Sequence, residues 1–356
     1  MHPLTPVRSG HVVIGVDTHK HLHVAAALDT IGGVTAHLTV PNEQAGFAAL
    51  AAWATEQGHI VAFGIEGTGS YGQALASYLR RHGCRVVEVN RPDRRMRRLK
   101  GKSDAVDAEN AARAVLAGFA TAEPKSADGT AEAIRRLKIA ADTAVKARSA
   151  AMITIKTLLV HADENLRTAC EELGHKALCA KLARLRQGEP VDPDTAARVA
   201  LRSLARRWLD LDTEATAMQA QIDTLVEQAA PQLLTPFGIG TDTAAEVLIA
   251  FGDNPERIRS EAAFAKLAGV CPIPAGSGKT DGRHRLYRGG NRQLNAALYR
   301  VVLTRMRFHE PTRAYVERRT TEGKSKKEII RCLKRYLARE IFHLLNPTPN
   351  TPQPSS

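Results

Sequence analysis

The chain is 356 residues long and carries 50 Lys and Arg against 37 Asp and Glu, a net charge of +13 at neutral pH. That length allows two or three domains, and that charge points to a phosphate-rich partner. Its cysteines, Cys84, Cys170, Cys179, Cys271 and Cys332, are odd in number and widely scattered, which excludes a readable disulfide framework or zinc pair. With no long apolar span, signal peptide or lipidation motif, a cytoplasmic protein without membrane attachment is expected.

The first ordered element is predicted at His11-Val-Val-Ile-Gly-Val-Asp17, an apolar, β-branched run too short for a helix and therefore a buried strand with Asp17 at its carboxyl end. Leu22 to Leu28 and Val34 to Val40 follow as strands joined by a turn through Asp29, Gly32 and Gly33, which suits an antiparallel meander. Ile60 to Ile65 forms a fourth strand that ends at Glu66, followed by the loose stretch Gly67-Thr-Gly-Ser-Tyr-Gly72, a helix near Gln73 to Arg81 and a strand from Arg85 to Val89. Three antiparallel strands followed by alternating helices and strands is the ribonuclease-H-like order, in which acidic residues on neighbouring strand ends meet. His19, His21 and His23 alternate along a strand without a Cys or acidic partner at ligand spacing, and are expected as surface histidines.

A helix from Asp104 to about Leu116 opens with Asp104 and Asp107, which lie three apart and so share a face. Acidic residues there also serve as caps or complement the helix dipole. Joined to Asp17 and Glu66, however, they complete a set of four carboxylates suited to a hard cation such as Mg2+ in phosphodiester chemistry. Immediately before them, Arg91 to Lys102 holds seven basic residues, among them Arg94, Arg95, Arg97, Arg98, Lys100 and Lys102, against the single acid Asp93. Such a run next to a carboxylate cluster is expected to track a nucleic-acid backbone.

The middle of the chain changes period. Leu201, Leu204, Trp208, Leu211, Ala215, Met218, Ile222 and Leu225 step by three and four, and Ile134, Leu137, Ala141, Ala144, Arg148, Ala151, Ile155 and Leu158 keep the same rhythm. Two long helices in a coiled-coil hairpin, or meeting partner chains, are predicted, joined through Gln187-Gly-Glu-Pro-Val-Asp-Pro193. Beyond Pro231, Leu234-Thr-Pro-Phe-Gly-Ile-Gly240 and a helix from Thr243 to Phe251 have the form of a helix-hairpin-helix element.

Pro272-Ile-Pro-Ala-Gly-Ser277-Gly-Lys279-Thr-Asp-Gly282 contains Gly-Ser-Gly-Lys-Thr, but Ile273 stands where a phosphate-cradling loop needs its first glycine and two prolines interrupt the leading strand, so a nucleotide site is excluded. Flanking glycines instead leave Ser277 on an exposed turn, where its hydroxyl is either a nucleophile or a phosphate contact, with Lys279, Arg283, Arg285 and Arg288 supplying positive charge. From Arg283 to Arg339 there are 17 basic and 4 acidic residues, a surplus equal to the net charge of the whole chain.

Gly15-Val-Asp17-Thr-His-Lys20, Ile65-Glu66-Gly-Thr-Gly-Ser-Tyr71, Lys102-Ser-Asp104-Ala-Val-Asp107-Ala108, and Phe264-Ala-Lys-Leu-Ala-Gly269 running on to Ser277-Gly-Lys279 and Gly290-Asn291 together resemble the DEDD insertion-sequence transposases, the bridge-RNA-guided serine recombinases. The likeness extends from about Val12 to Leu345, in order, and implies an α/β plus all-α protein. Its parts would be a ribonuclease-H/RuvC-like domain over 11–123, a helical coiled-coil domain over 124–230 and a mainly helical serine transposase domain over 231–345. Residues 1–10 and 346–356 are expected to be disordered ends. The resemblance implies that Asp17, Glu66, Asp104 and Asp107 bind metal and that Ser277 is the nucleophile of RNA-guided strand exchange through a phosphoserine. It also implies donor and target DNA, a structured guide RNA, dimers assembling to a tetramer, and a bacterial, nucleoid-associated setting. Two other classes use the same features: a Holliday-junction or flap nuclease with water as nucleophile, and a non-catalytic nucleic-acid-binding scaffold.

Overall fold

The computed structural model of the chain describes residues 10–89, 103–186, 188–280 and 284–346. They divide into two units: one runs to Asp128 and takes back Gly252–Arg259, and the other comprises Gly129–Phe251 and the chain from Ser260 onward. Of the tails expected over 1–10 and 346–356, residues 1–9 and 347–356 lie outside the described residues, as does the basic run from 91 to 102.

The first unit is a five-stranded sheet in the order β3-β2-β1-β4-β5. Strands β1 (His11–Thr18), β2 (Leu22–Asp29) and β3 (Val34–Pro41) form the expected antiparallel meander, while β4 (His59–Glu66) and β5 (Val86–Val89) add to β1 in parallel. The β2–β3 turn is held by Asp29, whose Oδ1 accepts from Ile31 N at 3.0 Å and Gly33 N at 2.8 Å. The strand pattern leaves residues 41–59 unassigned, and the structure places helix α1 (Gln44–Glu56) within them. Helix α2 (Gln73–Arg81) follows β4 as expected.

Period-two alternation sorts the sheet into two apolar faces. Val12, Ile14, Val16, Phe63 and Ile65 pack with Phe47, Leu50, Leu75 and Leu79 of α1 and α2. Val13, Ala26, Leu28, Ala62 and Val87 pack with Ala108, Ala111, Ala112 and Val115 of helix α3 (Asp104–Leu116). Each fully buried side chain the size of Phe63 or Ile65 contributes about 1.5–3 kcal/mol relative to exposure.

Helix α3 lies unusually close to the sheet, because Gly15 and Gly64 are register partners on β1 and β4 and offer no side chain beneath it. A Cβ added at Gly15 would stand 1.9 Å from the Ala108 carbonyl oxygen and 2.5 Å from Ala112 N; one at Gly64 would stand 2.9 Å from the Ala111 oxygen. These contacts are with helix backbone, which has no rotamer by which to yield. Gly15→Val should therefore lower stability by about 3 kcal/mol or more or prevent folding, measured by thermal or urea denaturation. Gly69→Ala, at a position with no atom within 4 Å of the added Cβ, serves as the control and should change stability little.

In the second unit, α4 (Thr130–Val160) and α7 (Pro193–Ala229) are the two predicted long helices. Arg148 pairs with Asp212 and Asp163, just past α4, with Arg198 at 2.7 Å, so position rises on one helix as it falls on the other and the pair is antiparallel. The buried stripe of α7 is Leu201, Ala205, Trp208, Ala215, Ile222 and Val226. Expected seam residues Leu204, Leu211, Met218 and Leu225 are instead half-buried at its edge. Leu201, Trp208, Ala215 and Ile222 lie in the stripe as expected, while Ala205 and Val226 are buried beside the half-buried Leu204 and Leu225. The link between the helices contains α5 (Glu164–Thr168) and α6 (His175–Leu182), whose Leu166, Leu178 and Leu182 pack on Ile155, Leu159 and Leu201.

The carboxyl-terminal helices belong to the same unit. A 3-10 turn at Pro231–Leu234 and a turn through Gly238 lead into α8 (Thr241–Phe251), the expected Gly-x-Gly helix start. Lys138 of α4 reaches Asp242 of α8 at 2.7 Å. Helix α9 (Glu261–Leu267), the two-stranded β6 (Pro272–Pro274) and β7 (His284–Leu286), and helices α10 (Arg292–Phe308), α11 (Glu310–Thr321) and α12 (Lys326–Leu345) complete the unit.

The Arg148–Asp212 pair occupies a seam position, with the Arg148 guanidinium 5.7 Å from the Trp208 ring centroid. Asp212→Leu should destabilise by about 1–3 kcal/mol, because it strands a half-buried guanidinium. Adding Arg148→Leu should restore most of that loss, and the double-mutant cycle from urea denaturation measures the difference.

Candidate active site and basic cleft

The carboxylates are carried by the face of the sheet that holds α3. Asp17 follows Val13 and Gly15 on β1, and Glu66 follows Ala62 and Gly64 on β4, so alternation turns both toward the helix side. Val16 pairs with Ile65 in the parallel register, which sets the two acids at adjacent strand ends. Thr18 Oγ1 donates to the Glu66 carbonyl at 2.8 Å and ties those ends together. Directly after Glu66 the chain turns away at Gly67, whose φ of +68° favours glycine.

Helix α3 brings the other two acids. Its N-cap is Ser103, whose Oγ accepts from Val106 N at 3.3 Å, so the Asp104 carboxylate is not used as the cap and is turned toward β1. Asp107, one turn on, is 2% exposed. The Asp17 carboxyl is held above its ordinary value chiefly by burial; the imidazole of His19 works against that, and the negative charges of Asp107 and Asp104 add to it.

His19 joins this group, a residue the sequence expectation left at the surface. Its Nε2 lies 3.2 Å from Asp17 Oδ2 and 3.4 Å from Asp104 Oδ2. One ligand atom from each of Asp17, His19 and Asp104 lies within 4.8 Å of the others, close enough for a single cation to draw on all three. Glu66 and Asp107 stand on the same face outside that trio. The available signal was the two-residue spacing of Asp17 and His19, which puts both on one side of an extended chain. His21 is exposed as expected, whereas His23 is fully buried and stacks on Phe47 at 5.9 Å. Six residues on from Asp17, His23 falls on the opposite face of the sheet, and burial pushes its imidazole below the ordinary value.

The donor set fits a divalent cation. Carboxylate oxygens from separate elements converge there, and burial of like charges at Asp17 and Asp107 carries an electrostatic cost that a cation offsets.

In the second unit, Ser277 and Lys279 are exposed on the loop between β6 and β7. Arg285 and Arg288 are exposed at and just beyond β7, and Arg283 lies outside the described residues, as do Arg94, Arg95, Arg97, Arg98, Lys100 and Lys102. A cleft of about 610 Å3 beside β7 is lined by Arg285, Arg288, Arg292, Arg331 and Lys334, and one of about 770 Å3 on its other flank by Arg285, Arg319, Lys324 and Arg331. Lys334 is 8% exposed; its Nζ donates to Asn295 Oδ1 at 3.0 Å, and Asn295 Nδ2 donates to the Ala268 carbonyl at 2.7 Å. Burial, with the nearby charge of Arg331, pushes the Lys334 ammonium below its ordinary value. Such a group favours an anion in the cleft. The sequence shows the basic surplus of this segment but not that Lys334 lies beneath its floor.

No helix among the described residues is long and apolar enough to cross a membrane. Residues 14–162 match a DEDD-type transposase family model, and residues 230–317 match the transposase family described as IS116/IS110/IS902. The chain is 30% identical over 149 residues to the insertion element IS110 uncharacterized 43.6 kDa protein of Streptomyces coelicolor, covering 41% of this chain and 36% of that protein. It is 31% identical over 152 residues to the insertion element IS900 uncharacterized 42 kDa protein of Mycobacterium paratuberculosis, covering 42% of this chain and 38% of the relative. The alignments thus span little more than a third of those curated relatives. The first match contains all four carboxylates and the second contains the Ser277 loop, in the order the motifs follow, and the chain belongs to the IS110 family of transposases.

Proposed function

We propose that the chain is the transposase of an insertion element and that it cuts and rejoins DNA by strand exchange. The observation that carries this reading is the convergence of Asp17 and Asp104 from β1 and α3, with Asp107 behind them, inside the region matched by the DEDD transposase model. On this reading the first unit is ribonuclease-H/RuvC-like, and Asp17, Glu66, Asp104 and Asp107 hold divalent cations, Mg2+ in the first instance. A bound cation there supplies charge stabilisation for a phosphorane-like transition state and acidifies a coordinated hydroxyl.

Ser277 is the proposed nucleophile. Its Oγ attacks a DNA phosphorus; the Oγ–P bond forms as a P–O bond of the strand breaks, the Oγ proton passes to a base and the departing oxygen leaves as a hydroxyl. The resulting phosphoserine diester conserves the bond energy, so a second DNA hydroxyl reverses the step without ATP. Lys279, Arg285 and Arg288 neutralise charge on the reacting phosphate. The three functional parts proposed are 11–123 for metal chemistry, 124–230 for coiled-coil assembly and 231–345 for the serine. Dimers assembling to a tetramer bring Ser277 and the carboxylates to the same phosphodiester, and a structured guide RNA pairs with donor and target DNA to choose the sites.

Two measurements test this. Asp104→Asn should abolish cleavage with Mg2+ present while leaving folding and DNA binding intact, because it removes ligand charge without changing shape; full cleavage by that variant overturns the metal-site reading. Wild-type protein should also form a denaturant-resistant DNA adduct mapping to Ser277, and Ser277→Ala should form none. Normal cutting by Ser277→Ala would mean water is the nucleophile, as in a nuclease.

The basic cleft gives a separate prediction. Lys334→Gln and Arg288→Ala should each weaken binding of DNA or RNA uniformly across sequences and lower the salt dependence by about one phosphate contact, read as the slope of log affinity against log salt. An unchanged slope in both variants would remove this cleft from the nucleic-acid path.

A further inference from the structure

We propose that His19 is itself a metal ligand, the one nitrogen donor among the carboxylates, and that it tunes the site toward Mn2+ over Mg2+. This rests on the metal-site reading above and goes beyond the four-carboxylate set. His19 Nε2 lies 3.2 Å from Asp17 Oδ2 and 3.4 Å from Asp104 Oδ2, and the nitrogen itself is buried between the two carboxylates while the outer part of the ring stays open to solvent. One nitrogen held at these distances from two carboxylate oxygens on separate elements has the spacing of a neighbour in a shared coordination shell.

The backbone holds His19 in place independently of its ring. His19 N donates to the Leu22 carbonyl at 3.1 Å, and Asn42 Nδ2 donates to the carbonyls of His19 at 3.3 Å and Lys20 at 3.2 Å. That clamp fixes the β1–β2 turn, so the imidazole is presented to Asp17 and Asp104 by the chain itself. Neither neighbouring histidine competes: His21 is exposed, and His23 is buried against Phe47 on the other face.

The choice of cation follows from donor chemistry. Mg2+ takes oxygen ligands in near-ideal octahedral geometry and keeps its waters, whereas Mn2+, which accepts the same carboxylates, stands at the start of the transition-metal series and takes a nitrogen donor more readily than Mg2+ does. Replacing one oxygen position by a nitrogen therefore raises affinity for Mn2+ relative to Mg2+.

The test uses the full chain with MnCl2 as the probe, electron spin echo modulation to detect directly bound 14N, and competition titration with MgCl2. Wild-type protein should show one directly coordinated imidazole nitrogen. His19→Gln should lose that signal and bind Mn2+ at least ~10-fold more weakly, while Mg2+ affinity changes by less than about twofold. Asp104→Asn should also lose the nitrogen signal, which assigns it to this site and not to another of the histidines. A wild-type spectrum without directly bound nitrogen, or a signal that survives His19→Gln, overturns the proposal and leaves His19 as a hydrogen-bonding neighbour of the carboxylates. Failure of the wild-type chain itself to bind Mn2+ overturns the metal-site reading together with it.

Discussion

The approach of helix α3 to the sheet at Gly15 and Gly64 governs the geometry of the first unit. Two register-paired glycines leave a flat strip on β1 and β4, and Ala108, Ala111 and Ala112 lay helix backbone directly on it. Side chains of ordinary size on either surface would lift the helix by several ångströms. Because Asp104 and Asp107 open that helix, lifting it would carry them away from Asp17. The acids are thus positioned by residues that carry no functional group. The dense packing that results buries Asp17, and that burial, with smaller contributions from the charges of Asp107 and Asp104, holds its carboxyl above the ordinary value.

A second use of small residues organises the long helical pair. Ala141, Ala144 and Ala151 on α4 and Ala205 and Ala215 on α7 keep the helix axes close, and the larger Met152, Ile155, Leu201 and Trp208 gather at the end where α5 and α6 close over them. Polar links are set into this frame at Arg148–Asp212 and at Lys138, whose ammonium meets Asp242 at 2.7 Å and Glu246 at 3.5 Å. Lys138 is held above its ordinary value by these acids, against the opposing effect of burial, its largest single influence. Opposite charges on α4 and α8 therefore carry the long pair into the carboxyl-terminal helices as one body.

Much of the architecture was legible because its residues obey a single period. The five strands and the helix from Asp104 are short, apolar and bounded by Gly or acidic residues, and they form where alternation and capping place them. Helix α1 was hidden by its composition: Ala45, Ala48, Ala49, Ala51, Ala52 and Ala54 contribute little contrast between faces. On α7 the expected seam holds at Leu201, Trp208, Ala215 and Ile222, whereas at the alternate positions the smaller Ala205 and Val226 are buried in place of Leu204 and Leu225, since side-chain size gives no sign of which neighbour faces the partner helix. His19 and Lys334 were missed for a related reason. Each acquires its setting from residues distant in sequence, Asp104 for the first and Ala268 and Asn295 for the second, and no local pattern carries that information.

The return of Gly252–Arg259 to the first unit has a bearing on synthesis. Asn254 is buried there: its Oδ1 accepts from Ser126 N at 3.0 Å and its Nδ2 donates to the Pro124 carbonyl at 3.0 Å, while Arg257 sits within the field of Glu88 and Glu123. Those partners leave the ribosome well before Asn254 does, separated from it by 128 and 130 residues. At ordinary elongation rates that interval is on the order of ten seconds. Throughout it the nascent sheet has no Asn254 to pin residues 124–126 beyond α3, and the first unit gains its last segment only once the long helical pair and α8 have been made. Completion of the first unit is in this way coupled to translation of most of the polypeptide, and a chain broken off before Asn254 leaves the Ser126 N–H and the Pro124 carbonyl without these partners.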